Sequence, residues 1–169
     1  ALIDTYNYYV DGSAVSEAEK AAADGTKARP YSSFDALPAF INKSTFSAVH
    51  VKGSVPLLRG QIVLSSNCSI DGTEDSELLL SPNSSIVVQN AHLSVANVII
   101  TKQSEKDADE DEKSSVFQVR HGVLELDGVE VSALFAKNGT VIDAENSVVT
   151  LQKSAITSSA RSYSSAVAS

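Results

Sequence analysis

Residues 86–101 read IVVQNAHLSVANVIIT, and the same pattern returns at residues 117–132, FQVRHGVLELDGVEVS, and at residues 142–157, IDAENSVVTLQKSAIT. The three copies superpose without a gap, at a step of 31 residues from 86 to 117 and of 25 from 117 to 142. Leu93 aligns with Leu124 and Val149, Val95 with Leu126 and Leu151, and Ile100 with Val131 and Ile156. Apolar and polar residues alternate within each copy, which is the period of a strand with one buried face. A unit this short cannot bury its apolar face alone, so units repeating at this spacing are expected to stack and share a core. The expected fold class is all-β, a parallel β-helix (solenoid) of about four coils.

Each copy is expected to hold three short strands, placed in the second copy at residues 116–119, 123–126 and 129–131. The pivots between the first two strands are Gln89-Asn90, Arg120-His121 and Glu145-Asn146. Asn tolerates left-handed backbone geometry, so a stacked ladder of such residues is a structural expectation. The connection from Ser132 to Ile142 holds nine residues and that from Thr101 to Phe117 holds fifteen. The excess falls in residues 102–115, KQSEKDADEDEKSS, which reads as a surface loop because charge so dense cannot be buried. A further step of 25 from Ile142 reaches Val167, where another alternating stretch opens. The chain is therefore expected to be a piece of a longer protein, an expectation that its lack of any Met also suggests.

The first part of the chain reads differently. TYNYYVDGS, at residues 5–13, predicts a strand with Tyr6, Tyr8 and Val10 on one face and an Asp-Gly turn after it. Residues 13–30 predict a loop with one helical turn. Residues 31–43, YSSFDALPAFINK, predict a short helix capped by Ser32 or Ser33, with Phe34, Leu37, Phe40 and Ile41 on one face and Pro38 in its first turn. A YVDGS strand, then DGT and RPYSSFDALPAFIN, then a β-helix resembles the start of many proteins of the right-handed, pectin-lyase-like β-helix superfamily. That resemblance implies a right-handed solenoid whose open end is covered by the helix. Residues 1–44 would be the N-terminal cap and residues 45–169 the coils.

Bulk properties narrow the function classes. The chain has 169 residues, a net charge of -8 and a pI near 4.8. Such a surface repels phosphate backbones and anionic lipid, so neither nucleic acid nor membrane insertion of this segment is expected. No apolar run approaches the roughly 20 residues of a membrane helix, and no signal-peptide pattern is visible at the start. Cys68 is the lone cysteine, so no intrachain disulfide can form, and its apolar neighbours predict a buried small hydrophobe.

Three groups of residues are candidates for chemistry. In the acidic stretch, Asp107, Asp109 and Asp111 alternate as the first ligands of a calcium loop would, but Glu112 stands where such a loop needs Gly and Gln118 stands at its twelfth position. No metal or cofactor is expected, and Glu105, Asp107, Asp109, Glu110 and Asp111 are read as a partner contact through charge. His92 aligns with Val123 and His121 with Asn90, so these two histidines point in different directions and are read, with His50, as structural. Cleavage of a polysaccharide needs carboxylates, or a base beside acids, on adjacent rungs of one face. Here Asp143 aligns with Gln118, Glu125 with Thr150, and Glu130 with Ile99 and Ala155, while Lys52, Arg59, Arg120 and Lys153 look scattered. No catalytic residue is therefore assigned.

Asn42, Asn67, Asn83 and Asn138 open N-glycosylation sequons, which matter if the source glycosylates. The chain resembles passenger segments of autotransporter and polymorphic outer-membrane proteins, although the short GGA and FxxN repeats of the latter are absent. That resemblance implies an extracellular, cell-surface virulence adhesin or stalk, anchored to the outer membrane through other parts of the protein. Its partners would be host-cell or extracellular proteins or glycans, met through residues 102–115 and 13–30. The alternative is the N-terminal part of a polysaccharide lyase or hydrolase with its active site on later coils.

Overall fold

From Phe46 onward the chain runs as short strands divided by tight corners, because apolar side chains fall at every second position and Asn, Gly or Ser stands where the backbone must turn. The computed structural model describes residues 5–13, 15–58, 60–73, 75–103, 114–135, 139–160 and 165–168. The chain begins with β1 (Thr5–Asp11), α1 (Glu17–Ala22), a 3-10 turn (Phe34–Ala36) and α2 (Pro38–Ile41). Then come β2 (Phe46–Lys52), β3 (Ser54–Leu57), β4 (Gln61–Leu64), β5 (Cys68–Gly72), β6 (Glu77–Leu80) and β7 (Ser85–Gln89). The repeats hold β8 (His92–Ala96), β9 (Ile99–Gln103), β10 (Ser114–Arg120), β11 (Val123–Asp127) and β12 (Glu130–Phe135). The last are β13 (Gly139–Glu145), β14 (Val148–Gln152), β15 (Ala155–Ala160) and β16 (Ser165–Ala168).

Successive strands visit three sheets in rotation. Sheet A runs β1-β2-β5-β8-β11-β14, sheet B runs β3-β6-β9-β12-β15, and sheet C runs β4-β7-β10-β13-β16. Every pairing between these strands is parallel. The fold is all-β with three parallel sheets, an arrangement compatible with a parallel β-helix or solenoid. The expected alignments hold in the register: Leu93, Leu124 and Val149 are neighbours across sheet A, as are Val95, Leu126 and Leu151, and Ile100, Val131 and Ile156 line up in sheet B. Val167 pairs with Ile142. Residues 46–72, whose repeat is faint in the sequence, join the same columns, with Ser47 opposite Cys68 and Val49 opposite Ile70.

These columns are the core. Leu93, Leu124, Ile100, Val131, Ile86, Phe117 and Ile142 are all buried and belong to one cluster. Each such side chain contributes roughly 1.5–3 kcal/mol when removed from water. Burial fades at β14, where Leu151 is 46% exposed although Leu126 beside it is 1% exposed. The cause is that β14, last in sheet A, has a sheet neighbour on one side only.

The corners explain the recurring Asn. Asn90, His121 and Asn146 take φ of 51°, 51° and 49°, the left-handed region that Asn reaches at low cost. Their backbones stack as well, with Asn90 N–H donating to Arg120 O and His121 N–H to Glu145 O. A second ladder lies seven residues on, at Asn97, Gly128 and Lys153, with φ of 55°, 66° and 50°. At Gly128 a Cβ would sit 2.8 Å from Asn97 Oδ1, so the close side chain one rung away favours glycine at this level, whereas Asn and Lys serve at the other two.

The single helix expected over residues 31–43 is instead a 3-10 turn followed by one α-turn. Pro38 is the reason, since it occupies the first helical position of α2 and can begin a helix but not continue one. Ser33 caps the 3-10 turn through Asp35 N–H. Phe34, Leu37 and Ile41 are buried, whereas Phe40 is 43% exposed. Side chains from this segment bond the outer edges of the strands beneath. Asn42 Nδ2 donates to Val63 O at 2.9 Å and Asn42 Oδ1 accepts from Ser65 N–H at 2.9 Å. Asp35 accepts from Leu58 N–H at 3.0 Å, and Ser33 Oγ donates to Pro56 O at 3.2 Å. Pro56 suits this place, because β3 is the first strand of sheet B and a proline at a sheet edge forfeits no ladder bond.

One expectation is corrected. Residues 102–115 were read as surface loop throughout, yet Lys102 and Gln103 belong to β9 and Ser114 and Ser115 to β10. Lys102 is 1% exposed and stands in the inward column of sheet B between Leu80 and Ala133. Its ammonium donates to Ser84 O at 2.9 Å and Ser115 O at 3.0 Å, and lies 5.8 Å from the centre of the Phe135 ring. A lysine is tolerated inside because its long stem packs like an aliphatic chain while carbonyl oxygens receive the charge.

Candidate functional site

With the inward positions committed to the core, recognition chemistry must come from the outward rows, the corners and the cap. On the outward side of sheet A, Tyr9, His50, Asp71 and Ala96 follow one another across β1, β2, β5 and β8. His50 Nδ1 donates to Asp71 Oδ1 at 2.8 Å, and its Nε2 lies 2.9 Å from Asn7 Oδ1. The Tyr9 ring lies over the imidazole with centroids 4.8 Å apart. His50 thus ties three strands together, and both of its ring nitrogens are engaged.

Two rungs away the motif recurs with other letters. His92 Nε2 lies 3.1 Å from Glu125 Oε2, and Ser94 Oγ donates to the same oxygen at 3.2 Å. The hydrogen bond from His92, the bond from Ser94 and the charge of His92 together hold the Glu125 carboxyl below its ordinary range. On sheet C, Arg120 reaches Asp143 Oδ2 at 2.9 Å and Glu145 Oε2 at 3.6 Å. The three histidines do not converge: His50 and His92 sit in separate pairs on sheet A and His121 is an exposed corner residue. The register also sets Gln118 opposite Asp143, Glu125 opposite Thr150, and Glu130 between Ile99 and Ala155.

Where the loop before β2 meets sheet A there is a cavity of about 420 Å³, lined by Tyr9, Asp11, Lys27, His50, Lys52 and Asp71 among others. Lys27 comes from the loop over residues 13–30, so one of the two loops singled out from the sequence does border a cavity. Gly25 O and the backbone of Tyr31 bond to Tyr9 and Asp11, fixing that loop along the free edge of β1. Gly72 and Thr73 also line a second cavity of about 570 Å³, bounded by Asn97, Gly128, Glu130 and Lys153 at the corner between sheets A and B. The two form one groove across the rungs. Its acidic groups near the cap are held internally. Asp71 is bonded to His50, and Asp11 accepts from Ser13 N–H at 2.9 Å. Burial alone would raise the Asp11 carboxyl, but the Ser13 hydrogen bonds and the Lys52 charge outweigh it and leave it below the usual range.

Comparison with known proteins finds no matching family model, no matching curated protein and no matching solved structure.

The remaining candidates fall as follows. Glu105, Asp107, Asp109, Glu110 and Asp111 lie outside the described residues. Among the described residues no group of three or more His, Cys, Asp or Glu side chains converges as a metal would require. Lys52 and Lys153, read as scattered, line adjoining cavities, because the corner between sheets A and B brings residues far apart in sequence onto one line. The signal available was the seven-residue spacing from each Asn or His pivot to the next corner. Of the sequons, Asn42 is held through its amide nitrogen and Asn67 Oδ1 accepts from His92 N–H at 2.9 Å. Asn83 is exposed on a turn, and Asn138 lies outside the described residues.

Proposed function

We propose that the three sheets are the walls of a right-handed parallel β-helix of the pectin-lyase-like kind, about four coils long, with residues 1–44 as its cap and residues 45–169 as its coils. In this reading the chain is a non-catalytic segment of a larger secreted or cell-surface protein, a stalk or adhesin that meets an extracellular protein or glycan. The observation that carries it is the groove beside the cap, where two cavities join along the outside of the stack. Such a groove suits recognition of an extended partner, since loops and corners can vary while the core columns keep their register. Support for the absence of catalysis comes from His50. Both ring nitrogens of His50 are engaged, by Asp71 and Asn7, and a general acid or base needs a free nitrogen within reach of substrate.

The test is binding by the purified full chain to immobilised extracellular-matrix proteins and to a panel of defined glycans, beside an assay for chain cleavage. Retention of a defined partner that weakens on Lys52→Ala or Lys27→Ala substitution, with no cleavage, is the expected result. Release of shortened or unsaturated products would replace this reading with the lyase or hydrolase alternative, and failure to bind anything on the panel would overturn it.

A further inference from the structure

The cationic side chains are unevenly engaged. Lys20 pairs with Glu17 at 2.8 Å, Arg29 with Asp24 at 2.6 Å, Arg120 with Asp143 and Glu145, and Lys102 is held by two carbonyls. Among the described residues Lys27, Lys43, Lys52 and Lys153 have neither an ion pair within 4.0 Å nor a side-chain hydrogen bond, and Lys52 acts on Asp11 through its field alone. Three of these four line the groove, Lys27 and Lys52 in the cavity beside the cap and Lys153 in the adjoining one. In a chain of net charge -8, surface lysines have abundant acids to pair with. Lys27 and Lys52 come from different elements and border one cavity without an ion pair to occupy either ammonium group.

We propose that the cavity formed by Lys27, Lys52, Tyr9 and His50 is a binding site for a compact tetrahedral oxyanion, a phosphate or sulfate monoester on a small molecule. The inference rests on the reading of the groove as a binding site and names the chemistry of one part of it. Lysine ammonium groups act as point charges that reach a tetrahedral oxyanion from more than one side. The two aspartates in the wall already have partners, Asp71 in the His50 ring and Asp11 in Ser13 N–H, and neither draws a lysine into an ion pair. The Tyr9 ring, tilted 33° against His50, supplies an apolar surface beside the charged end for the body of the ligand. At about 420 Å³ the cavity admits a ligand of roughly monosaccharide to nucleoside size.

The experiment titrates the full chain by calorimetry and by amide chemical shifts with inorganic phosphate, inorganic sulfate, glucose 6-phosphate, glucose 6-sulfate and glucose. Ionic strength is matched with sodium chloride throughout. Expected are saturable shifts at Tyr9, His50 and Lys52 with the esters, none with glucose, and affinity about ten-fold weaker in Lys52→Ala and in Lys27→Ala, the loss of one charged donor. Lys43→Ala, which removes an unpaired lysine away from the groove, leaves affinity unchanged. Esters binding better than the free anions places the body of the ligand on Tyr9, whereas equal binding restricts the site to the oxyanion. The proposal is overturned if chloride at equal ionic strength produces the same shifts, or if Lys52→Ala and Lys43→Ala behave alike. Should the esters fail while an extracellular partner still binds and loses affinity on Lys52→Ala, this inference falls and the binding-module reading stands.

Discussion

Cys68 reports directly on whether the columns are packed as described. It lies in sheet A between Ser47 and Leu93, is 1% exposed, and burial pushes its thiol from an ordinary 9.0 up to about 12. Three units correspond to roughly a thousand-fold less thiolate in the folded chain than in the unfolded chain at pH 8. Alkylation by iodoacetamide should therefore be slowed by about that factor or more in buffer relative to 6 M urea, with the native rate set by opening of the fold. The same shift has a thermodynamic face. A thiol whose folded value is raised leaves stability intact below pH 9 and lowers it as pH climbs toward 12, because only the unfolded chain releases the proton readily. At pH 10.5 the loss is about 2 kcal/mol, approaching about 4 kcal/mol at pH 12. Tyrosines ionise in the same window, so the quantity to measure is the difference between the wild-type chain and Cys68→Ala in urea unfolding at pH 8 and pH 10.5, followed by circular dichroism. Native labelling within ten-fold of the urea rate, or identical alkaline losses in both chains, would refute the placement of this side chain in the core.

Other outcomes follow from the same geometry. Leu124→Ala should lower unfolding free energy by about 2–5 kcal/mol, whereas Glu125→Ala, one residue along on the outward side, should stay within about 0.5 kcal/mol; urea melts check both. His121→Gly should be neutral or stabilising by up to about 1 kcal/mol, since φ is 51° there, and His121→Val should cost about 1–2 kcal/mol in the same melts. Asn42→Ala removes both bonds to the edge around β4, which should cost about 1–3 kcal/mol and raise aggregation measured by light scattering, because an open strand edge is exposed. Lys102→Met keeps the volume but leaves Ser84 O and Ser115 O without this donor, with an expected cost of about 2–4 kcal/mol in thermal and urea unfolding.

The alternation of Leu93, Val95, Ile100 and their counterparts was readable because each inward side chain meets its own kind one rung away, so the packing itself is periodic. The ladder at Asn90, His121 and Asn146 was readable for the same reason, since a backbone constraint that repeats selects similar residues. Lys102 was not readable: it stands at the head of the charged stretch 102–113, and the carbonyls that hold it come from Ser84, in the turn before β7, and Ser115 in β10. The groove was hidden for a related reason. Lys27, Lys52 and Lys153 share no spacing, and only the docking of the cap loop against β1 and the stacking of corners bring them to one side of the stack. The broken helix at Pro38 shows local chemistry prevailing over an apolar pattern that otherwise suits a helix.

A stack of parallel strands is self-consistent along its length, and that consistency restricts where it can hold a ligand. On a regular stretch an outward polar side chain can pair with the next rung, as His92 does with Glu125 and Arg120 with Asp143, which consumes polar capacity laterally. The cavity beside β1 comes from a break in that regularity, and the segment before β2 provides it, because its loops and side chains do not follow the rung spacing. The segment that runs along β1 bonds its backbone at Gly25 and Tyr31, yet carries Lys27 out over the face of the sheet. Backbone bonding along the edge of β1 and formation of the groove are thus two consequences of the same departure from the repeat. A variant that loosens the cap, such as Asn42→Ala, is expected to weaken binding along with stability, while an outward substitution far from the cap changes neither.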